Sequence, residues 1–200
     1  MRNPKPKEWK SAQLSQKMIA DYKALNFVDG EGVRNSLYLS GCLFACEGCY
    51  NVAAQSFRYG TPYTQELEER IIEDTRPDHV QGITLLGGEP FLNTEVCLSL
   101  VKRFRKEFGD TKDIWSWTGY TFEELLLETE DKLELLSEVD ILVDGRFDLS
   151  KKNLMLQFRG SSNQRIIDVK KSIAANSVIL WNKLKDGTEN FEQIHKDEWI

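Results

Sequence analysis

Residues 35–51, NSLYLSGCLFACEGCYN, join an apolar run typical of a β-strand to a segment that holds three of the four cysteines in this 200-residue chain. The three are Cys42, Cys46 and Cys49. On a helix this spacing would place their side chains on one face. Gly41 and Gly48 bracket the run, however, and a strand leads into it. The pattern therefore predicts a loop that gathers three thiols at the end of the first strand.

Short apolar runs and amphipathic segments alternate along the rest of the chain. Strands are predicted at 35–41, 82–88, 113–119 and 139–145, with a further candidate at 165–169. Helices are predicted at 63–75, at 93–108 and after a capping box of Thr121 and Glu124. The apolar face of the second helix comprises Cys97, Leu100, Val101, Phe104 and Phe108. Strands that alternate with helices imply right-handed crossovers, which predicts an α/β fold with a parallel sheet, open or closed into a barrel.

An unusual loop follows each of the first four predicted strands. After the cysteine segment come GGEP (87–90), WTGY (117–120) and DGRF (144–147). Because the carboxyl ends of parallel strands meet at one edge of a sheet, these loops are expected to form one site. In GGEP, Gly87 and Gly88 would let the backbone approach a ligand closely, and Glu89 adds a carboxylate, although the motif taken alone would suggest a plain strand-to-helix turn.

Composition restricts the class of protein. The net charge of −6 argues against a nucleic-acid-binding surface as the main feature. No apolar run is long enough to cross a bilayer, and the first residues lack the apolar segment of a secretory signal. These features predict a cytoplasmic protein with neither nucleic acid nor membrane as a partner. In a reducing compartment, clustered cysteines are more often metal ligands or catalytic groups than disulfides.

The organisation along the chain predicts one main domain. Residues 1–26 form an N-terminal extension, in which residues 11–25 have a weakly helical pattern. Residues 27–186 form the main domain. Residues 187–200 form a polar C-terminal tail that is expected to fray.

Three clustered thiols restrict the choice of metal. Soft thiolates select zinc, copper(I) or iron–sulfur clusters. A structural zinc needs four ligands. Cys97 could be counted as the fourth, but it lies on the apolar face of its predicted helix. His79 and His195 are distant from the loop in sequence. A four-iron cluster needs no fourth protein ligand, because three thiolates hold three irons and leave one iron open for a substrate or cofactor.

Several segments resemble a known family. The C-x3-C-x2-C pattern after a first strand, with GGEP after the second, looks like the radical S-adenosylmethionine superfamily. The more specific segments are DGEGVRNSLYLSGC (29–42), CEGCYN (46–51), DIWSWTGY (113–120), LVDGRF (142–147) and RGSSNQ (159–164). Together they resemble the activating proteins of the anaerobic ribonucleoside-triphosphate reductase, from about residue 27 to 165. Gly48 stands where the superfamily often has an aromatic residue, and the activating proteins resemble this chain in having glycine there.

The resemblance implies an incomplete parallel (β/α) barrel of the radical S-adenosylmethionine type. It implies a 4Fe-4S cluster on Cys42, Cys46 and Cys49, whose open iron binds S-adenosyl-L-methionine for reductive cleavage. The cofactor-binding residues it implies are Gly48, Tyr50, Gly87, Gly88 and Glu89. The resulting radical is expected to take an α-hydrogen from a glycine in the large subunit of the reductase. A flavodoxin or ferredoxin is the expected electron donor, and no residue is needed as a general acid or base.

Alternatives remain at this point. The same chemistry could serve another glycyl-radical enzyme of the pyruvate formate-lyase type. A non-catalytic zinc-binding module could instead use all four cysteines. Tyr50 could pack on an adenine or simply occupy the rim, and strand periodicity does not decide which of the alternating residues at 115–118 face the barrel interior. Roles are also left open for Trp115, Trp117, Asp144, Arg146 and the polar segment 158–165.

Overall fold

The computed structural model describes residues 2–183 and shows an α/β fold built on a seven-stranded sheet. The strands are β1 (Met18–Asn26), β2 (Val33–Leu39), β3 (Thr61–Pro62), β4 (Val80–Gly87), β5 (Asp113–Trp117), β6 (Ile141–Asp144) and β7 (Arg165–Asp168). The α-helices are α1 (Ser11–Leu14), α2 (Gln65–Thr75), α3 (Thr94–Phe108), α4 (Phe122–Leu125), α5 (Glu130–Glu138) and α6 (Val169–Ala175). The strand order across the sheet is β3-β1-β2-β4-β5-β6-β7.

The centre of the sheet is parallel, as the sequence predicts. Strands β2, β4, β5 and β6 are neighbours that run in one direction, and each connection between them passes through at least one helix. Their registers pair Leu39 with Gly87 and Trp117 with Val143, so the four strands end at one edge. The predicted strand at 165–169 exists as β7, but it is antiparallel to β6. The segment between them has no α-helix to carry a crossover, so the sheet is mixed rather than parallel throughout.

The N-terminal segment differs from its prediction. The helical pattern over 11–25 is wrong for most of its length, because α1 has only four residues and β1 pairs antiparallel with β2. Ile19 is 4% exposed and packs in the main core, so tertiary burial overrides a weak helical pattern. The boundary predicted between residues 26 and 27 falls at the turn of this hairpin. The predicted tail at 187–200 lies outside the described residues.

Helices pack on one face of the sheet and bury the main core. The predicted apolar face of α3 is confirmed, since four of its five side chains are fully buried and Phe108 is partly buried against them. The capping box of Thr121 and Glu124 is also present at α4. Within residues 2–183, no helix combines the length and the apolar character that a membrane crossing requires.

The opposite face of the sheet carries a smaller aromatic cluster. Trp115 lies there with Trp181 and Phe158, while its neighbour Ile114 packs in the main core. Since side chains alternate along a strand, Trp117 shares the face of Trp115, and their ring centres are 5.9 Å apart. The tryptophans therefore point to the face of the sheet opposite the main core.

Replacing Leu100 by Ala should lower the free energy of unfolding by about 2–5 kcal/mol, because this α3 side chain is fully buried in the main core. The matched change Leu98→Ala, on a partly exposed side of the same helix, should have a distinctly smaller effect. Urea denaturation followed by circular dichroism measures both. Equal losses in the two variants would contradict this packing of α3.

Candidate functional site

A cavity of about 460 Å³ opens at the edge where the four parallel strands end. The loops that follow β2, β4, β5 and β6 all contribute to its wall. All eight residues predicted to form the site line it, namely Cys42, Cys46, Gly48, Cys49, Tyr50, Gly87, Gly88 and Glu89. The expectation that the unusual loops meet at one rim is therefore confirmed. That these residues bind a cluster and a cofactor remains a prediction.

The cysteine loop, residues 40–52, contains neither helix nor strand. Gly41, Ala45 and Gly48 have positive φ angles of 106°, 51° and 71°. This backbone is incompatible with the α-helix that would have placed the thiols along one helix face. All three cysteines of the loop are free thiols that are partly exposed.

Burial raises the pKa of two thiols in the cavity, those of Cys42 and Cys46, and so favours their protonated form. Burial, with a smaller contribution from the Glu89 carboxylate, raises the pKa of the Cys42 thiol to about 12. Burial also raises the pKa of the Cys46 thiol, although a backbone hydrogen bond from Phe147 opposes the shift. A cationic metal centre would reverse this preference, because coordination stabilises the thiolate. The thiols of the loop would therefore become charged, soft ligands if a metal bound there.

Three of the four cysteines line the cavity, a number that fits a four-iron cluster with one iron left open. Among the residues that the structure describes, no three or more His, Cys, Asp or Glu side chains are grouped so that they could hold one metal ion. A cluster distributes its thiolates over separate irons, so they need not converge on one point. Cys97 is fully buried in the main core, with its Sγ 3.6 Å from the carbonyl oxygen of Pro90. The prediction that Cys97 belongs to the core is confirmed.

The two glycines of GGEP allow close packing of the main chain. The N–H of Gly88 donates to the carbonyl of Leu39 at 2.8 Å, and the N–H of Glu89 donates to that of Gly41 at 2.8 Å. A Cβ atom on Gly88 would lie 2.6 Å from the Gly41 oxygen. The backbone of Gly88 therefore lies close to the backbone of the cysteine loop, and its close approach to a ligand remains a prediction. The Gly87 carbonyl faces Asn51, whose Nδ2 lies at 3.5 Å.

Glu89 is 1% exposed and links the GGEP loop to the WTGY loop. Its Oε1 accepts hydrogen bonds from Thr118 Oγ1 at 2.8 Å and from the N–H of Phe91 at 3.1 Å. Its Oε2 accepts one from the N–H of Gly119 at 2.8 Å. Burial raises the pKa of Glu89 to about 7, although these hydrogen bonds and the charge of Lys132 oppose the shift. Sequence reasoning missed Thr118 and Gly119 as its partners, and the only signal for them was the WTGY motif.

Asp144 and Arg146, whose roles were left open, are absent from the lining of this cavity. Asp144 is 1% exposed and forms an ion pair with Arg165. Arg146 pairs with Glu124 at 2.9 Å, and its guanidinium lies 4.7 Å from the centre of the Phe44 ring. Both side chains hold loops in place around the site.

Tyr50 and part of the segment 158–165 line the cavity. Tyr50 is 100% exposed, as expected of a rim aromatic, and its packing on an adenine remains a prediction. In the segment 158–165, Arg159, Gly160 and Gln164 line the cavity. Gln164 accepts the N–H of Gly160 at 2.9 Å and donates to the Gly145 carbonyl at 3.0 Å. This amide ties the segment to the loop that follows β6.

Replacing Cys42, Cys46 or Cys49 by Ala should abolish iron–sulfur loading, because three thiolates on a four-iron cluster leave no spare protein ligand. Cys97→Ala should keep the iron and lower the free energy of unfolding by about 1–2 kcal/mol. Iron content and visible absorbance after anaerobic reconstitution measure loading, and urea denaturation measures stability. Loss of iron in the Cys97 variant would show that the ligand count is wrong.

Gly88→Ala should push the cysteine and GGEP loops apart, because the new methyl group would also lie 2.8 Å from the carbonyl oxygen of Ala54. We expect a loss of about 1–3 kcal/mol in the free energy of unfolding, together with reduced iron binding. Gly109→Ala is the matched control, since no atom lies within 4 Å of the added methyl group and only the positive φ of 55° opposes it. A Gly88 variant with full iron content would contradict the expected coupling.

Comparison with known proteins assigns the chain to a family. A family model described as a 4Fe-4S single cluster domain matches residues 28–167. The anaerobic ribonucleoside-triphosphate reductase-activating proteins of Pasteurella multocida and Vibrio cholerae are each 42% identical over 149 residues, which are 72% of this chain and 93% and 94% of theirs. That of Escherichia coli K12 is 40% identical over 147 residues, which are 72% of this chain and 93% of its own. The chain therefore belongs to the family of anaerobic ribonucleoside-triphosphate reductase-activating proteins.

Proposed function

We propose that this chain activates the anaerobic ribonucleoside-triphosphate reductase by reductive cleavage of S-adenosylmethionine at a 4Fe-4S cluster, which generates a glycyl radical on the reductase. One observation carries the proposal. Three thiols, two glycines and a buried carboxylate from two successive strand ends line the same cavity. The names of relatives that are about 40% identical support the choice of reductase.

In this proposal Cys42, Cys46 and Cys49 each hold one iron, and the fourth iron has no protein ligand. When bound, the cluster supplies a low-potential electron and an open coordination position, which together permit cleavage of the sulfonium. The chain contributes the placement of the thiols. Its cysteine loop is bonded to the GGEP loop through Gly41, so thiols and cofactor-binding backbone keep a constant separation.

Glu89 is proposed to accept a hydrogen bond from the amino group of S-adenosylmethionine. A carboxylate offers about four acceptor positions, and three of those on Glu89 are used by Phe91, Thr118 and Gly119. These donors hold the carboxylate in one orientation before any ligand arrives. Such preorganisation reduces the reorganisation that binding requires. Gly48 and Tyr50, which line the same cavity, are proposed to contact the cofactor as well.

The proposed substrate is a polypeptide, the large subunit of the reductase. Tyr50 and Leu154 line the cavity and are 100% and 87% exposed, so its mouth presents apolar side chains to solvent. A protein partner that covered them would exclude water from the reaction. Glycine is a suitable target because its α-radical is stabilised between the amide nitrogen and the carbonyl. A flavodoxin or ferredoxin is proposed as the electron donor, in the cytoplasm.

The fold proposed for this chemistry is an incomplete parallel (β/α) barrel of the radical S-adenosylmethionine type. Its support is the run of four parallel strands with helices outside and the Trp115 cluster inside. The antiparallel strands β1 and β7 flank this run, and such a sheet would leave the barrel open on one side for a protein substrate.

The proposed function predicts a glycyl radical on the reductase. The reconstituted protein should be incubated anaerobically with S-adenosylmethionine, a reductant and the reductase large subunit, and electron paramagnetic resonance should then detect the radical. Cys42→Ala should give no signal, whereas Cys97→Ala should give the full signal. Aerobically purified protein is not a fair sample, because an exposed cluster with an open iron is sensitive to oxygen.

Two outcomes would contradict the proposal in different ways. Cleavage of S-adenosylmethionine without a radical on the reductase would point to another protein substrate, and a pyruvate formate-lyase-type enzyme should then be tested. An iron-loaded protein that fails to cleave S-adenosylmethionine under reducing conditions would exclude the radical mechanism itself.

A further inference from the structure

The first residues of the chain are bonded to the site, although they precede the region that the family model matches. The N–H of Arg2 donates to the carbonyl of Phe44 at 2.8 Å, in the middle of the cysteine loop. Arg146 Nε donates in turn to the carbonyl of Arg2 at 3.2 Å. We call residues 2–15 the N-terminal clamp. The function proposed above gives them no role.

Trp9 is the central side chain of the clamp. It is 8% exposed, and its ring centre lies 5.1 Å from that of Phe44 and 6.3 Å from that of Tyr120, both in edge-to-face contact. Phe44 and Tyr120 pack on each other at 4.9 Å. Phe44 lies two residues from each of Cys42 and Cys46 and is 1% exposed. The Trp9 ring therefore packs against the side chain of Phe44, which lies between two of the thiol-bearing residues.

A buried charge fixes the position of Trp9. Lys132 is 0% exposed, and its Nζ donates to the carbonyl of Trp9 at 2.7 Å, to Tyr120 Oη at 3.0 Å and to Glu128 Oε2 at 2.9 Å. Glu128 also accepts the N–H of Lys7 at 3.2 Å. A buried ammonium is stable only when paired and hydrogen-bonded, so displacement of the clamp would leave Lys132 short of a partner.

The other end of the clamp reaches the GGEP loop. Ser11 Oγ accepts the N–H of Thr94 at 2.9 Å, at the first residue of α3. Ser15 Oγ donates to Asn93 Oδ1 at 2.8 Å, and Asn93 Nδ2 donates to the carbonyl of Glu89 at 3.1 Å. The clamp thus contacts the cysteine loop at one end. At the other end it contacts Asn93, which is hydrogen-bonded to the carbonyl of Glu89.

We propose that the N-terminal clamp is a positioning element of the cluster site, and that Trp9 acts through Phe44 on the placement of Cys42 and Cys46. The inference rests on the proposed function, because it takes an iron–sulfur cluster as the ligand of the cysteine loop. That loop has no regular secondary structure of its own. A mobile loop loses entropy when a ligand orders it, which weakens binding. The clamp removes this penalty by ordering the loop in advance.

Trp9→Leu tests the proposal, because it keeps an apolar side chain but removes the ring that touches Phe44. Iron release from the anaerobically reconstituted full-length protein to a chelator should become roughly 10-fold faster or more. Trp9→Phe retains an aromatic ring, so iron release from this variant should stay slow. Trp181→Leu is the matched control, since Trp181 is also 8% exposed but packs against Trp115 in the smaller aromatic cluster, on the face of the sheet opposite the main core. An unchanged rate in Trp9→Leu, or an equal acceleration in Trp181→Leu, would overturn the proposal.

A double-mutant cycle tests the route through Phe44. Phe44→Leu should itself accelerate iron release. In that background Trp9→Leu should add little, because the contact it removes is already gone. Fully additive effects of the two substitutions would show that Trp9 does not act through Phe44.

Thiol labelling of the iron-free full-length chain separates local from global effects. Mass spectrometry resolves the alkylation of Cys42, in the loop, from that of Cys97, which is fully buried in the main core and reacts only when that core opens. In Trp9→Leu, labelling of Cys42 should accelerate while that of Cys97 does not. Parallel acceleration of both thiols would mean general destabilisation and would overturn the positioning role, as would no change in either.

These measurements also distinguish the clamp from the proposed function. Labelling and iron release involve no radical chemistry and no reductase. If the reductase acquires no radical while Trp9→Leu still loosens the loop, the proposed function fails and the clamp stands. If the radical forms normally and Trp9→Leu leaves labelling unchanged, the clamp fails and the proposed function stands.

Discussion

Two backbone hydrogen bonds between neighbouring loops are the constraint on which the site depends. The N–H of Gly88 donates to the carbonyl of Leu39, the last residue of β2, and the N–H of Glu89 donates to the carbonyl of Gly41, two residues further along the chain. They prolong the parallel pairing of β2 and β4 past the edge of the sheet, so the cysteine loop leaves the sheet in contact with the GGEP loop. The two main chains can approach this closely only because residue 88 has no side chain. Displacing this contact would move the thiols relative to Glu89, whatever ligand they hold.

A chain of buried polar groups extends this constraint across the site. Thr118 Oγ1 donates a hydrogen bond to Glu89 and accepts one from the N–H of Tyr120 at 3.1 Å. Lys132 Nζ donates to Tyr120 Oη and to the carbonyl of Trp9. All four side chains are buried, so removal of one group would leave another without its hydrogen-bond partner. The stability of the fold and the geometry of the cavity therefore depend on the same hydrogen bonds. This explains why residues distant in sequence from the cysteines can influence their placement.

Several parts of the fold follow from local patterns in the chain. The apolar spacing of α3, the Thr121–Glu124 capping box and the four parallel strands were all predictable, because periodicity, caps and glycines report on backbone conformation nearby. The segment 11–25 was misread because its strand depends on the burial of Ile19 against distant residues. The direction of β7 could not be read from its own sequence, since it is set by a connection that lacks a crossover helix.

The candidate site, like the fold, was predictable only in part from local sequence. The spacing of Cys42, Cys46 and Cys49, with glycines around them and GGEP one unit later, was enough to predict a thiolate site at one edge of a parallel sheet, because parallel strands present their carboxyl ends together. Only the tertiary structure decided what holds that site. It placed Glu89 in a buried bridge to the WTGY loop and brought Trp9 beneath the cysteine loop. The contacts of the N-terminal clamp join residues up to 144 positions apart, as between Arg2 and Arg146, and no local pattern encodes a pairing over such a separation.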